Sequence, residues 1–425
     1  MLSQRLVKKQ AIKHLLRKEK AMAQNTNTWF REKILLGMTP RDYIISNFNF
    51  PNLIAAVFVS AGVGVMIYRL FVGLGPTTNL SDTYPWGLWI GFDILVGIAL
   101  AAPGLTVGTA VHLFGMKDYH HFARPAILSS LLGYVFAIYA LMFDLGRYYR
   151  VPYLIGGSWG FASILFLIGW HFFLYTNICI IEWAPALFEW LNLRKTREFF
   201  MKLGVWATIF GVIIAGGHQS ALGGLFLVAP AKLHPLWYSV LLPVFFLLSA
   251  IFAGISMVIV ESTVTHKIFK KQLKHFDPAE FDSRTIGLGI ATASALFIYF
   301  ILKIFDIAHY DNWAYLNTPY GYWYLVEILG FVLLPALLFT SAVRNRNAKL
   351  VRFTGFLTAF GVILNRLNVC IIAYNWYLPA SQKYYPLWSE VALSLGVVTI
   401  LILFYRFIVN RMAIMYEHPE YESAH

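Results

Sequence analysis

The sequence predicts an all-α, polytopic membrane protein of about ten transmembrane helices. Three observations carry this. The 425 residues are 58% hydrophobic and only 13% charged, too few charges to cover a soluble chain of this length. Apolar runs recur that are long enough to cross about 30 Å of hydrocarbon at about 1.5 Å per residue. Aromatic residues make up 17% of the chain, and many lie at the ends of those runs, as in an interfacial aromatic belt.

The runs place helices near 51–75, 86–115, 125–147, 158–190, 200–223, 236–262, 285–308, 321–343, 350–375 and 386–412. Residues 1–50 precede them as a basic extension holding ten of the 34 Lys and Arg. That stretch is too long and too basic for a secretory signal, and no short apolar segment with a cleavage site follows it. Leu2, Leu6, Ile12, Leu15 and Leu16 stand among its basic residues. They fit an interfacial amphipathic helix or a solvated arm. The expected layout is therefore an extension over 1–50, a transmembrane domain over 51–412 and a tail over 413–425. Within the domain, one four-helix bundle covers about 86–223 and a second about 236–375, with the first and last helices flanking them. The longest internal loop, about 263–284, is basic and polar.

The net charge of +13 does not point to nucleic acid, because its distribution is one-sided. With the amino terminus inside, 27 of the 34 Lys and Arg fall on the cytoplasmic side. Only Arg147, Arg150, Lys232 and Lys383 fall opposite, and Arg69, Lys303 and Arg366 lie within helices. This positive-inside bias puts both termini in the cytoplasm. A repeat is also visible. FGVI occurs at Phe210–Ile213 and again at Phe360–Ile363, and Pro85-Trp86 echoes His234-Pro235-Leu236-Trp237 at the same offset of 150 residues. Corresponding helices run the same way, so the repeat is parallel, about an axis along the membrane normal.

Ionisable side chains inside hydrocarbon are costly, and each is a candidate for function. The competing reading for each is an ion pair or hydrogen bond that holds helices together. In the first bundle Asp93, Asp144 and His218, followed by Gln219 and Ser220, share an outer depth and are expected around one pocket. An acid, an imidazole and an amide suit a quinone, whose carbonyls they can hydrogen-bond and protonate. His171, at mid-depth, and Glu182, eleven residues on, mark an inward proton path across a gap of about 16 Å. In the second bundle Lys303, Asp306, Glu327 and Arg366, with Glu261 and Glu390, offer another. A salt bridge from Arg366 to Glu327 or Glu390 is the expected structural use of that pair.

Cofactor chemistry is bounded too. Cys179 and Cys370 are the only cysteines, so the chain cannot hold a four-cysteine iron–sulfur centre. His112 and His171 differ in depth by about 20 Å and cannot sandwich a haem. His120 and His121 belong to a cytoplasmic loop and read as solvated. No phosphate-binding glycine loop and no HExxH occurs.

Several motifs resemble the NrfD/PsrC family, and within it the HybB branch. They are YPWGLWIGFDILVGIALAAPG (Tyr84–Gly104), ARPAILSSLLGY (Ala123–Tyr134), FDLGRYYRVPY (Phe143–Tyr153), IEWAPALFEW (Ile181–Trp190), GHQSALGGLFLVAP (Gly217–Pro230) and KLHPLWYSVLLPVFFLLSA (Lys232–Ala250). WYLVEIL, the NRLN around Arg366 and YPLWSEV extend the likeness into the later helices. The resemblance covers most of the chain after residue 50. The basic extension is longer than hydrogenase members would suggest.

The resemblance implies a membrane subunit without redox centres, exchanging electrons between an iron–sulfur partner on the periplasmic side and quinone in the bacterial inner membrane. It places Asp93, Asp144, Glu182, His218, Gln219 and Ser220 in shared motifs, and leaves His112 and His171 outside them. The preferred version is menaquinone reduction fed by a hydrogenase or a multihaem cytochrome c, as in the menaquinone reductase complexes of sulfate reducers. No haem and no iron–sulfur cluster is expected in this chain, and no nucleic-acid partner. The alternatives are a hydrogenase anchor proper and an ion-coupled transporter.

Overall fold

The computed structural model describes residues 28–157, 159–269 and 277–415. The amphipathic segment expected at 2–16 and the tail beyond 415 lie outside the described residues. Residues up to Phe58 and those from Val59 form two compact units. In the first, Thr39 caps a short helix, Pro40–Asn47, by accepting from the Asp42 backbone N–H, with Pro40 at the first helical position.

Ten helices are long and apolar enough to cross a membrane: α1 (Phe50–Val72), α2 (Trp89–Leu113), α3 (Lys117–Asp144), α4 (Ile164–Trp190), α5 (Arg194–Val228), α6 (Leu242–Ile268), α7 (Pro278–His309), α8 (Pro319–Arg344), α9 (Ala348–Ile372) and α10 (Trp388–Val409). They match the ten expected from the apolar runs. Among the described residues there is no strand, only an isolated bridge between Leu233 and Tyr374. Helices are the form in which hydrocarbon-embedded backbone satisfies itself within one segment. Ten crossings return the chain to the side from which it started. We call that the termini side and its opposite the far side.

Helices α2 to α5 pack in a closed ring, each against the next and α5 back against α2. Helices α6 to α9 do the same. The two bundles meet through α2 against α9 and α5 against α6. Exchanging the bundles in order maps one of these contacts onto the other, the pattern of a parallel repeat. Close approach is set by small residues. A Cβ on Gly254 of α6 would lie 2.6 Å from the Ala102 carbonyl of α2, and one on Gly62 of α1 would lie 2.8 Å from Gly396 of α10.

Helix α2 breaks where Pro103 interrupts it. The Ser130 hydroxyl of α3 repairs the break by donating to the Ala101 carbonyl (2.8 Å) and accepting from the Gly104 N–H (2.7 Å). Either side of the break α2 is π-helical, at Trp89–Val96 and Gly104–Leu113, as are Val326–Leu333 of α8 and Asn368–Ile372 of α9. Such turns are rare and concentrate at functional sites. Here they carry Asp93, Glu327 and Asn368.

The far-side loops are knitted together. The His234 N–H donates to the Ala373 carbonyl (3.0 Å) and the Asn375 N–H to the Lys232 carbonyl (2.6 Å). The Tyr84 hydroxyl donates to the Tyr374 carbonyl (3.0 Å). His234 is enclosed by Tyr320, Trp376, Trp237 and Tyr315, with ring centroids 4.7–5.5 Å away. Burial there pulls its imidazole down to about 4 and pushes the Tyr84 phenol up to about 12.

Candidate functional site

The polar core of the first bundle is built on α3, α4 and α5. His218 is fully buried. Its Nε2 hydrogen-bonds the Tyr134 hydroxyl, and Tyr134, Phe172 and Tyr175 surround its ring at 5.3, 5.4 and 5.4 Å. His171 packs against Gly217, the residue before His218: a Cβ there would lie 3.1 Å from His171 Cε1. Gln219 donates to the Ile98 carbonyl of α2 (3.0 Å) and lies beside Tyr134.

Four-residue steps place His171, Tyr175 and Cys179 on one face of α4, with Glu182 at its end. Tyr175 lies beside Cys179. Glu182 accepts from the Thr208 hydroxyl of α5 (2.7 Å). The stretch that separates His171 from Glu182 is thus filled by a phenol and a thiol.

A second group sits at the far end. Asp93 accepts from the Ser394 hydroxyl of α10 (2.7 Å). Asp144, at the C-terminal end of α3, interacts electrostatically with Asp93, Glu390 and Arg69. Among the described residues its buried Oδ1 has no hydrogen-bond partner. Arg69 of α1 donates to the Phe143 (2.8 Å) and Leu145 (2.7 Å) carbonyls, a cation at a helix C-terminus. Glu390 is saturated: the Asn79 and Leu387 N–H groups (3.1 and 2.9 Å) and the Tyr384 hydroxyl donate to it. It caps α10 and ties down the α1–α2 loop.

The single outer pocket expected from Asp93, Asp144 and His218 therefore divides in two. Asp93 turns toward α10, whereas His218 turns toward α3 and α4. Ser220 is half-buried and joins neither group by a side-chain hydrogen bond.

In the second bundle Glu327 is the hub. It accepts from Trp237 Nε1 (2.9 Å), Asn365 Nδ2 (2.7 Å) and Asn368 Nδ2. Arg366 does not pair with it directly, and the expected salt bridge to Glu327 or Glu390 is absent. Asn365 stands between, donating to the carboxylate and accepting from Arg366 Nη1 (2.9 Å). Arg366 also donates to the Ser249 hydroxyl (2.7 Å) and the Phe246 carbonyl (3.2 Å), and covers the Phe246 ring at 3.7 Å. Distributed neutral partners substitute for a second buried charge in contact. Lys303 lies 4.0 Å from the centroid of Phe245. Asp306, one turn away on α7, accepts from the Ser239 hydroxyl. Two cations and two carboxylates balance.

Glu261 lies apart at the termini end of α6, with the Tyr405 hydroxyl of α10 donating to it. Tyr134, Tyr175, Tyr405, Asn365, Asn368 and Arg69 were not legible as site residues from single positions. Asn and Tyr inside apolar motifs were the available signal, since a hydroxyl or amide in hydrocarbon needs a partner.

His218 Nε2 is engaged by the Tyr134 hydroxyl. Among the described residues no cluster of three or more His, Cys, Asp or Glu could hold a metal ion.

Comparison with known proteins completes the site. A protein of Nitratidesulfovibrio vulgaris is 46% identical over 88% of this chain and 96% of its own length. The probable Ni/Fe-hydrogenase 2 b-type cytochrome subunit of Escherichia coli is 30% identical over 83% of this chain and 88% of its own. The integral membrane subunit of menaquinone reductase from Nitratidesulfovibrio vulgaris is 26% identical over 84% and 91%. The family model described as polysulphide reductase, NrfD, matches residues 76–378. That range holds both bundles and excludes α1 and α10. This chain is a multi-pass integral membrane protein of the NrfD family.

Proposed function

We propose that this chain is the quinone-interacting membrane subunit of a periplasm-facing respiratory oxidoreductase. It exchanges electrons between an iron–sulfur partner and menaquinone or another quinone, in a bacterial inner membrane, with both termini cytoplasmic. The observation that carries the reading is the buried His218–Tyr134–Tyr175 core, made of groups that both give and take protons, in a family whose relatives include a menaquinone reductase subunit. The one-sided charge distribution supports the orientation.

Asp93 and Asp144 stand at the far end, where an electron donor outside the membrane would meet quinone, and they are proposed to hold the headgroup. His218, Gln219 and Ser220 lie deeper on α5 and are proposed to complete proton supply to it. His171, Glu182 and Glu261 continue that supply toward the termini side. Lys303, Asp306, Glu327 and Arg366 form the charged core of the second bundle. Glu390 is proposed to act as a helix cap, held by the Asn79 and Leu387 N–H groups and the Tyr384 hydroxyl. The proposal assigns neither a haem nor an iron–sulfur cluster to this chain, whose two cysteines are too few for a four-cysteine centre. A second reading, a membrane anchor of a nickel–iron hydrogenase, is favoured by the 30% identical relative. It differs in the donor, not in the site.

Purification of the native assembly in mild detergent tests this. An iron–sulfur protein should copurify, and the assembly should reduce or oxidise a menaquinone analogue, while the separated chain shows no Soret band. Ion movement by the chain alone in proteoliposomes, with no redox partner and no quinone activity, would sink the proposal in favour of a transporter.

A further inference from the structure

At the termini side a small cavity opens between α3, α6 and the segment after α10. Polar His121, Glu261, Ser262, Thr265 and His266 share its lining with four apolar side chains, Met415 among them, and it has room for about one water molecule. We propose that this cavity is the water-holding mouth of a proton route, and that the segment Asn410–Met415 is its cover. The inference rests on the proton-moving part of the functional reading.

The groups around the cavity suit proton uptake. Among the described residues, Glu261 accepts from the Tyr405 hydroxyl of α10 and lies beside Ser129 of α3, and the cavity lies against it. His266 Nδ1 is 2.7 Å from the Ser262 carbonyl. A carbonyl only accepts, so Nδ1 carries the proton and Nε2 is the basic nitrogen. The ring is held by stacking on Phe281 of α7 at 4.1 Å. A water in the cavity can pass a proton to Glu261 or His266 and be reprotonated from the aqueous phase. No electron moves and no covalent bond between heavy atoms changes.

The route also continues inward. Ser129 is followed by Ser130, whose hydroxyl bridges the break in α2. A Cβ on Gly104 would lie 2.7 Å from Ser130 Oγ and 3.5 Å from Tyr175 Oη. Tyr175 in turn packs on Tyr134 at 4.6 Å between ring centroids. Water has to carry the proton between these hydroxyls, because that of Ser130 is committed to the Ala101 carbonyl.

The cover is built in. Arg124 Nη1 donates to the Ala413 carbonyl (2.8 Å), and its Nη2 pairs with Glu189 (3.2 Å), which also pairs with Arg197 (3.4 Å). Met412, Ala413 and Ile414 are buried, so this segment is packed down over the mouth. Met415 places an apolar side chain against the polar lining and limits the water it admits.

The test uses the full complex in sealed proteoliposomes. The native Cys179 and Cys370 are buried, so Thr265→Cys supplies a thiol at the cavity for a membrane-impermeant cationic reagent. Labelling from the termini side should be slow in the intact chain. It should be about tenfold faster when residues 411–425 are removed, and intermediate in Met415→Gly, which retains the segment. The attached reagent should then reduce charge movement during quinone turnover. Equal labelling rates in all three chains would overturn the cover. Faster labelling with charge movement unchanged would overturn the route. Faster labelling in a complex devoid of quinone turnover would support the cover and defeat the functional reading instead.

Discussion

The two bundles share one design and use opposite polar chemistry. In the first, the buried imidazole of His218 meets phenols, and Glu182 meets a threonine hydroxyl. Each of these groups can donate or accept, so a proton can change places without leaving a donor facing a donor. In the second, Glu327 receives three N–H groups from Trp237, Asn365 and Asn368. An indole N–H and an amide NH₂ only donate. Such a shell is built for a carboxylate that keeps its charge, balanced by Arg366 and Lys303 on aromatic faces. The difference teaches that a buried carboxylate is not by itself a proton carrier, because its neighbours decide whether a proton has anywhere to go.

The largest contrast should come from His218→Ala against Glu327→Gln. The first should lower quinone turnover by about 1,000-fold in a complex that still assembles. The second replaces one carboxylate oxygen by an NH₂ that faces at least one of the three donors, and should cost about 3–5 kcal/mol of stability, read as a lower melting temperature, with near-normal turnover in what does assemble. The comparison breaks if Glu327→Gln abolishes turnover at unchanged stability. Tyr134→Phe sharpens it, because the ring remains and only the hydroxyl is lost. Turnover should fall about 100-fold, and wild-type rates would reduce the His218 contact to packing.

A smaller effect is expected on coupling. Glu182→Gln should reduce the membrane potential built up during turnover in sealed vesicles, whereas Asp306→Asn should not. Equal losses in both would mean that both bundles move protons. The smallest effect concerns the far-side loops. Unfolded, the His234 imidazole takes a proton near 6.5; folded, it does so only near 4. The unfolded state therefore binds the extra proton between those values, and stability should rise with pH across that window. His234→Gln should flatten this part of the melting-temperature profile, and an unchanged profile would remove His234 from the account.

Much of the architecture was legible because membrane insertion writes itself into composition. Ten apolar runs gave ten helices, and the repeated Pro-Trp and FGVI segments pointed to two equivalent bundles, whose contacts do map onto each other. The site was legible only in part. Depth along a helix is countable from sequence, so His171 and Glu182 could be ordered along α4 from their spacing alone. The direction a side chain faces was not, because α2 carries π-helical turns and a proline break, and these rotate Asp93 toward α10 and away from His218. Arg366 misled for a related reason. Its need for partners was evident, but Asn365, its own neighbour, took the place of the acid.

By itself, the sequence determined the class, the number of crossings and the residues that had to be buried at a cost, because hydrocarbon thickness and the price of a buried charge are local constraints. Tertiary structure alone decided which buried groups touch. The two amides on Glu327 come from α9 and the indole from the segment before α6, and the phenol on His218 comes from α3. No spacing within a single helix encodes which hydroxyl, amide or ring a neighbour will present.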